Sequence, residues 1–157
     1  MQLFVLRHGH AEPQQTSDEV RNLTLTGRRE VAIMAARSAR DLQIVQQVWV
    51  SPLLRAQQTA EIVAAELKKC AVNFTLSTSD LIVPEANPAL LFDALQFAHC
   101  EAILLVSHQP LVGHFIDVFC GSYPGFHDMS TSSMACIDYD VAAAGLGKLR
   151  WLRHTHE

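Results

Sequence analysis

The run Ala102-Ile103-Leu104-Leu105-Val106 constrains the fold more than any other part of the chain. Five apolar residues follow one another without a polar break, and the run stops at Ser107-His108-Gln109-Pro110. A strand wetted on one face would alternate apolar with polar residues. A continuous run of this length reads as a strand covered on both faces, which calls for helices on either side of a mainly parallel sheet.

The rest of the chain supplies those helices and further strands. Gln2 to Leu6 reads as a first strand ending at Arg7, and residues 10–24, polar and holding Pro13, read as a loop. Thr26 is expected to cap a helix from about Gly27 to Asp41, with Val31, Met34, Ala35, Ser38 and Leu42 on one face. Val45 to Val50 reads as a second strand. Ser51 is then expected to cap a helix with Pro52 in its first position, running to about Lys69. Phe74 to Ser77 is a short β-prone piece, and Pro88 to Ala98 reads as a helix. Leu111 to Cys120 reads as a helix stopped by Gly121. After a Gly-, Pro- and Ser-rich loop, Met134 to Tyr139 and Lys148 to Arg153 form a final strand pair. Strands alternating with helices in 157 residues predict one α/β domain, 1–157, with a mostly parallel sheet.

The net charge of −4 and the lack of a basic stripe argue against nucleic acid as a partner. No apolar run is long enough to span a bilayer, and the start of the chain has no basic segment before its apolar residues. Cys70, Cys100, Cys120 and Cys136 show no Cys-x-x-Cys spacing and are expected to be reduced, mostly buried thiols, hence a cytoplasmic location.

Three apolar strands end in polar residues followed by a turn: Leu6-Arg7-His8-Gly9, Val50-Ser51-Pro52 and Val106-Ser107-His108. Ligands of open α/β sheets bind beyond the carboxyl ends of the strands, so these residues are expected to share one crevice with Arg55. Arg7 and Arg55 offer planar forks that match phosphate oxygens. His8 suits a nucleophile whose second ring nitrogen is held by a backbone carbonyl, and His108 suits a donor to charge that develops on the phosphoryl oxygens. Gly9 is expected to let the backbone approach phosphate closely. Each residue alone has a plain structural reading; their arrival at three separate strand ends is what points to phosphoryl chemistry.

The motif Leu6-Arg7-His8-Gly9 resembles the histidine phosphatase superfamily of the phosphoglycerate-mutase-like, branch 1 type. Leu23-Thr24-x-x-Gly27, Ser51-Pro52-x-x-Arg55-Ala56-x-x-Thr59-Ala60 and Val106-Ser107-His108-x-Pro110 match the same pattern. The short length, Ser17-Asp18-x-x-Arg21 and the segment from Ser107 to Gly113 are most similar to SixA-type phosphohistidine phosphatases. The resemblance implies a three-layer α/β/α sandwich, a phosphorylated His8, phosphate held by Arg7 and Arg55, and a pocket completed by His108. It also implies that Asp18 and Arg21 lie near the pocket, with Ser51 and Ser107 in support.

Many relatives carry a glutamate acid after the third strand. Register from Leu81 puts that position on Val83, and Glu85 falls two residues late. An enzyme lacking the acid is expected to favour phosphorus–nitrogen bonds over phosphate esters, because imidazole is the better leaving group. The expected substrate is a His-containing phosphotransfer protein of a two-component relay, with inorganic phosphate as product and neither metal nor other cofactor. A small-molecule phosphatase or mutase and a non-catalytic phosphohistidine sensor are the alternatives. His8-x-His10 and His154-x-His156 lack further ligands at metal spacing. His10 is read as a modifier of local charge, His154 and His156 as solvated at a frayed end, and Asp117 as structural.

Overall fold

Six strands form one sheet in the order β3-β2-β4-β1-β5-β6 in a computed structural model that describes residues 1–155. In chain order the elements are β1 (Gln2–Arg7), α1 (Leu25–Ser38), β2 (Gln47–Val50), α2 (Leu54–Lys69), β3 (Thr75–Thr78), α3 (Pro88–Phe97), β4 (Ala102–Ser107), α4 (Leu111–Cys120), β5 (Met134–Asp138) and β6 (Lys148–Arg153). Short 3₁₀ turns occupy Asp18–Val20, Asp41–Ile44 and Asp80–Ile82. β3, β2, β4 and β1 are parallel, and β5 and β6 extend the sheet antiparallel.

β4 is buried at all six positions, as its unbroken apolar run requires. Its side chains alternate between two cores. Ile103 and Leu105 join Leu3 and Val5 of β1 against α3 and α4, through Leu91, Leu95, Phe115 and Phe119. Leu104 and Val106 join Phe4 and Leu6 against α1 and α2, through Val31, Met34, Ala60, Val63 and Leu67. The sheet is therefore the middle layer of an α/β/α sandwich. Each large side chain fully buried here contributes about 1.5–3 kcal/mol relative to exposure.

Two helix starts differ from the sequence reading. α1 is capped by Thr24, whose Oγ1 accepts from Gly27 N at 3.0 Å, so Thr26 lies inside the helix. α2 starts at Leu54, because the Ser51 hydroxyl accepts from Leu53 N in a tight turn and also meets His108. α3 is capped by Asn87, and α4 ends on Gly121 at φ 69°, where a residue without Cβ is at ease. All four cysteines are free, but only Cys136 is buried. No described helix is long and apolar enough to cross a membrane.

Candidate active site

The three strands that end in polar residues are neighbours, in the order β2-β4-β1. Arg7 is level with Ser107, and Val50 with Val106, so Ser51, Ser107 and the pair Arg7-His8 leave the sheet along one edge. Backbone bonds continue the ladder past the strands. His8 N donates to Ser107 O at 2.9 Å, and Ser51 N to Val106 O at 3.1 Å. A rigid sheet edge thus sets the directions of side chains that lie far apart in sequence.

His8 is 6% exposed. Its Nδ1–H donates to the Gly9 carbonyl at 2.7 Å, which leaves Nε2 with its lone pair, and Arg55 Nε donates to that nitrogen at 3.3 Å. Burial lowers the His8 pKa to about 4, and the charges of Arg55, Arg7 and Arg21 add to this against the opposing Gly9 hydrogen bond. The ring is therefore neutral at pH 7.

His108 is fully buried, with its ring centroid 5.0 Å from that of His8. Its Nε2 lies 2.6 Å from Ser51 Oγ, while Nδ1 is buried with no partner among the described residues. Burial, then the neighbouring His8 and Arg55, push its pKa down to about 2. When the Ser51 hydroxyl donates to Nε2, the ring proton sits on Nδ1 and that N–H is unspent. Arg7 shows the same feature. Its Nη1 donates to Met129 O at 2.8 Å, but its buried Nε has no partner among the described residues. A buried donor left unpaired costs about 1–3 kcal/mol, so two at one site mark a place for an acceptor-rich ligand.

Asp18 organises the arginines. Its Oδ2 accepts from Arg55 Nη2 at 3.0 Å, its Oδ1 from Arg21 Nη1 at 3.1 Å, and its backbone carbonyl from Arg55 Nη1 at 2.8 Å. Partial burial raises the Asp18 pKa, but the hydrogen bonds and charges of Arg21 and Arg55 outweigh it and hold the carboxyl below its usual range. Arg21 is anchored further by Nε to Glu12 O at 2.7 Å.

Other expected residues sit differently. A Cβ on Gly9 would lie 2.8 Å from Val31 Cγ2 and 3.0 Å from Gly27 O, so its missing side chain makes room for α1 rather than for phosphate. The Ser107 hydroxyl donates to Ile82 O at 2.6 Å and ties β4 to the turn that follows β3; toward His8 only the Ser107 carbonyl acts. His10 is exposed and bonds through Nδ1 to Thr24 Oγ1, away from His8. Val83 is half-buried and Glu85 exposed. His154 is partly exposed but tethered, its Nδ1 lying 3.0 Å from Ser133 Oγ and its carbonyl accepting from Arg37. His156 lies outside the described residues.

Residues 3–76 match the profile of the Histidine phosphatase superfamily (branch 1). The chain is 33% identical over 159 residues to Phosphohistidine phosphatase SixA of Escherichia coli (strain K12), an alignment spanning 96% of this chain and 92% of that one. This chain belongs to the histidine phosphatase superfamily. It is a phosphatase of the SixA-like group. A second relative, the SixA homolog of Haemophilus influenzae (strain ATCC 51907 / DSM 11121 / KW20 / Rd), is 29% identical over 124 residues, or 74% of this chain and 75% of its own. A solved structure of the protein histidine phosphatase SixA complexed with tungstate superposes with a TM-score of 0.86 at 31% identity, covering 99% of this chain and 98% of that chain.

Two residues that the strand-end argument passed over also hold this candidate site together. Thr59, one helical turn after Arg55, accepts from Gly9 N at 3.0 Å and donates to Arg55 O at 2.7 Å, locking the turn after β1 to α2. Its place in the motif with Arg55 and Ala60 was the available signal. Ser132, at φ 63° and buried, donates its N–H to the His8 carbonyl. Nothing in its Ser-Thr-Ser-Ser setting marked it.

Proposed function

We propose that this protein removes the phosphoryl group from a phosphohistidine on a partner protein, through a phosphorylated His8 and without a metal ion. The reading rests on one observation above all. The lone pair of His8 Nε2 is fixed by the Nδ1–Gly9 bond and stands beside Arg55, with the unspent donors of Arg7 and His108 close by. Nε2 attacks phosphorus as the substrate imidazole leaves from the opposite side. Arg7 and Arg55 hold the phosphoryl oxygens, and His108 Nδ1–H donates to the charge that gathers on them. Asp18 and Arg21 position Arg55, and Ser51 positions His108. Water then attacks the phosphorylated His8 and releases inorganic phosphate.

The names of the relatives support phosphohistidine as the substrate class, and tungstate, carried by one of them, is an oxyanion of phosphate's shape. The absence of a carboxylate at Val83 supports a leaving group that needs no acid at the bridging atom. A His-containing phosphotransfer protein of a two-component relay, in the cytoplasm, fits this chemistry, and four unpaired cysteines suit a reducing compartment.

The test is to incubate the protein with a histidine-phosphorylated phosphotransfer protein and look for acid-labile phosphate on the enzyme, with chelator present. Labelling that His8→Ala abolishes is the expected result. Label at full level in His8→Ala overturns the mechanism, and faster turnover of phosphoglycerate or sugar phosphates than of phosphohistidine overturns the substrate.

A further inference from the structure

Asp117 and His127 form a buried titratable pair that the reading above leaves without a role. Asp117, on α4, is 2% exposed and His127 is 8% exposed. Asp117 Oδ1 accepts from both the ring Nδ1–H and the backbone N–H of His127, at 2.7 and 2.8 Å, and Oδ2 accepts from Gly125 N at 2.9 Å. A carboxylate only accepts, so Nδ1 keeps its proton in either form of the ring, and Nε2 is the position that can hold and give up a second proton. An aspartate placed this way orients a histidine and stabilises its imidazolium form.

The location matters as much as the pairing. His127 lines a groove of about 580 Å³ that also takes in Arg7, Gln109, His114 and Asp128. Arg7 Nη1 is tethered to the carbonyl of Met129, two residues past His127. The same short segment thus carries the anchor of a phosphate arginine and the ring of the pair.

Phosphoramidate chemistry gives that ring a task. An ester takes its proton on the oxygen bonded to phosphorus. A phosphorylated imidazole takes it on the other ring nitrogen, so that a neutral ring departs. The group supplying this proton must stand one ring's width from the phosphoryl site, out in the groove rather than at the position of Val83.

We infer that His127 Nε2 donates a proton to the far nitrogen of the substrate's phosphoimidazole, with Asp117 as its positioning residue. As the proton moves, the phosphorus–nitrogen bond breaks with its electron pair passing to the ring nitrogen, and the bond from His8 Nε2 to phosphorus forms. The partner leaves with a neutral histidine, and His127, now neutral, regains its proton from solvent. Around His127 the charged and titratable groups are Asp117 from α4 and, in the groove, Asp128, His114 and Arg7. The inference rests on the proposed function and adds the donor that reading lacks.

The test compares wild type, His127→Gln and Asp117→Asn with two donors: a histidine-phosphorylated phosphotransfer protein, and p-nitrophenyl phosphate, whose phenolate leaves unprotonated. The ratio of the two rates cancels any loss of folded protein. In His127→Gln this ratio falls by about 10²- to 10⁴-fold. The ratio falls less far in Asp117→Asn, where the ring remains but has lost the carboxylate that orients it. An unchanged ratio in His127→Gln overturns the inference and leaves the proposed function standing. A wild type inert toward the phosphorylated protein, or turnover retained in His8→Ala, overturns the proposed function and the inference with it.

Discussion

Arg55 donates through Nε to His8 Nε2 at 3.3 Å while its Nη1 and Nη2 grip the backbone and the carboxylate of Asp18. One guanidinium therefore spans the nucleophile candidate and the acid that holds the arginines together. Each of its nitrogens has a separate partner, and a lysine could match only part of this fork. Arg55→Lys is expected to cut kcat by about 100-fold or more, in the range seen when a preorganised charge-stabilising donor is removed. Steady-state kinetics on a phosphohistidine donor checks it, and a loss under threefold contradicts the role given to Arg55.

Both site histidines favour the neutral form, with pKa values lowered to about 4 for His8 and about 2 for His108. In the unfolded chain both titrate near 6.5. As pH falls below about 6.5 the unfolded state takes up protons that the folded state refuses, so stability drops and, for His8, levels off below about 4. Each histidine contributes roughly 1–3 kcal/mol of lost stability by pH 4.5. Urea unfolding at pH 7 and 4.5 is expected to show a smaller drop in His108→Gln than in wild type. NMR titration should place the His8 midpoint near 4, and a midpoint near 6.5 would contradict the burial argument.

Gly9 and Gly27 are both filled against their neighbours. A Cβ on Gly27 would come 2.1 Å from the His10 carbonyl, a backbone atom, whereas one on Gly9 would first meet the Val31 methyl at 2.8 Å. A side-chain neighbour yields more readily than backbone. Gly9→Ala is expected to cost about 1–3 kcal/mol and to be partly relieved by Val31→Ala, while Gly27→Ala costs more and is not relieved. Denaturant midpoints across the four variants decide this.

Thr59 holds the Gly9 amide and the Arg55 carbonyl with one hydroxyl. Thr59→Val keeps the shape but strands the buried Gly9 N–H, at a cost of about 1–3 kcal/mol. Its kcat is expected to fall as the turn carrying His8 loosens, and Thr59→Ser to restore both quantities. Chemical unfolding and kinetics measured together would expose a purely packing role, in which serine fails to rescue.

The sequence made the sheet legible where the chemistry of a segment left one choice. The unbroken apolar run of β4 required a strand covered on both faces, and Gly121 marked the end of α4 to the residue. It was less informative where two residues of one type compete. Thr24 and Thr26 are both capable caps, and Thr24 holds the place because its hydroxyl also meets His10. Ser51 looked like a helix cap, but its hydroxyl is drawn to His108, a partner 57 residues away. Arg7, His8, Arg55 and His108 were legible as a group because the ends of β1 and β4 carry Arg7, His8 and His108, and the helix that follows β2 carries Arg55. The Asp117–His127 pair was not, because it joins a helix to an irregular loop that has no periodicity to read.

The order β2-β4-β1 puts the site on the innermost strands, with β3 and β6 at the edges. Edge strands exchange their amide protons through local fraying, whereas strands flanked on both sides open only when the whole domain does. Of the two cores, one on each face of the sheet, neither can be lost without releasing β4 and β1. The groove, not transient breathing of the scaffold, would therefore govern which solvent or partner reaches a phosphoryl group held at His8.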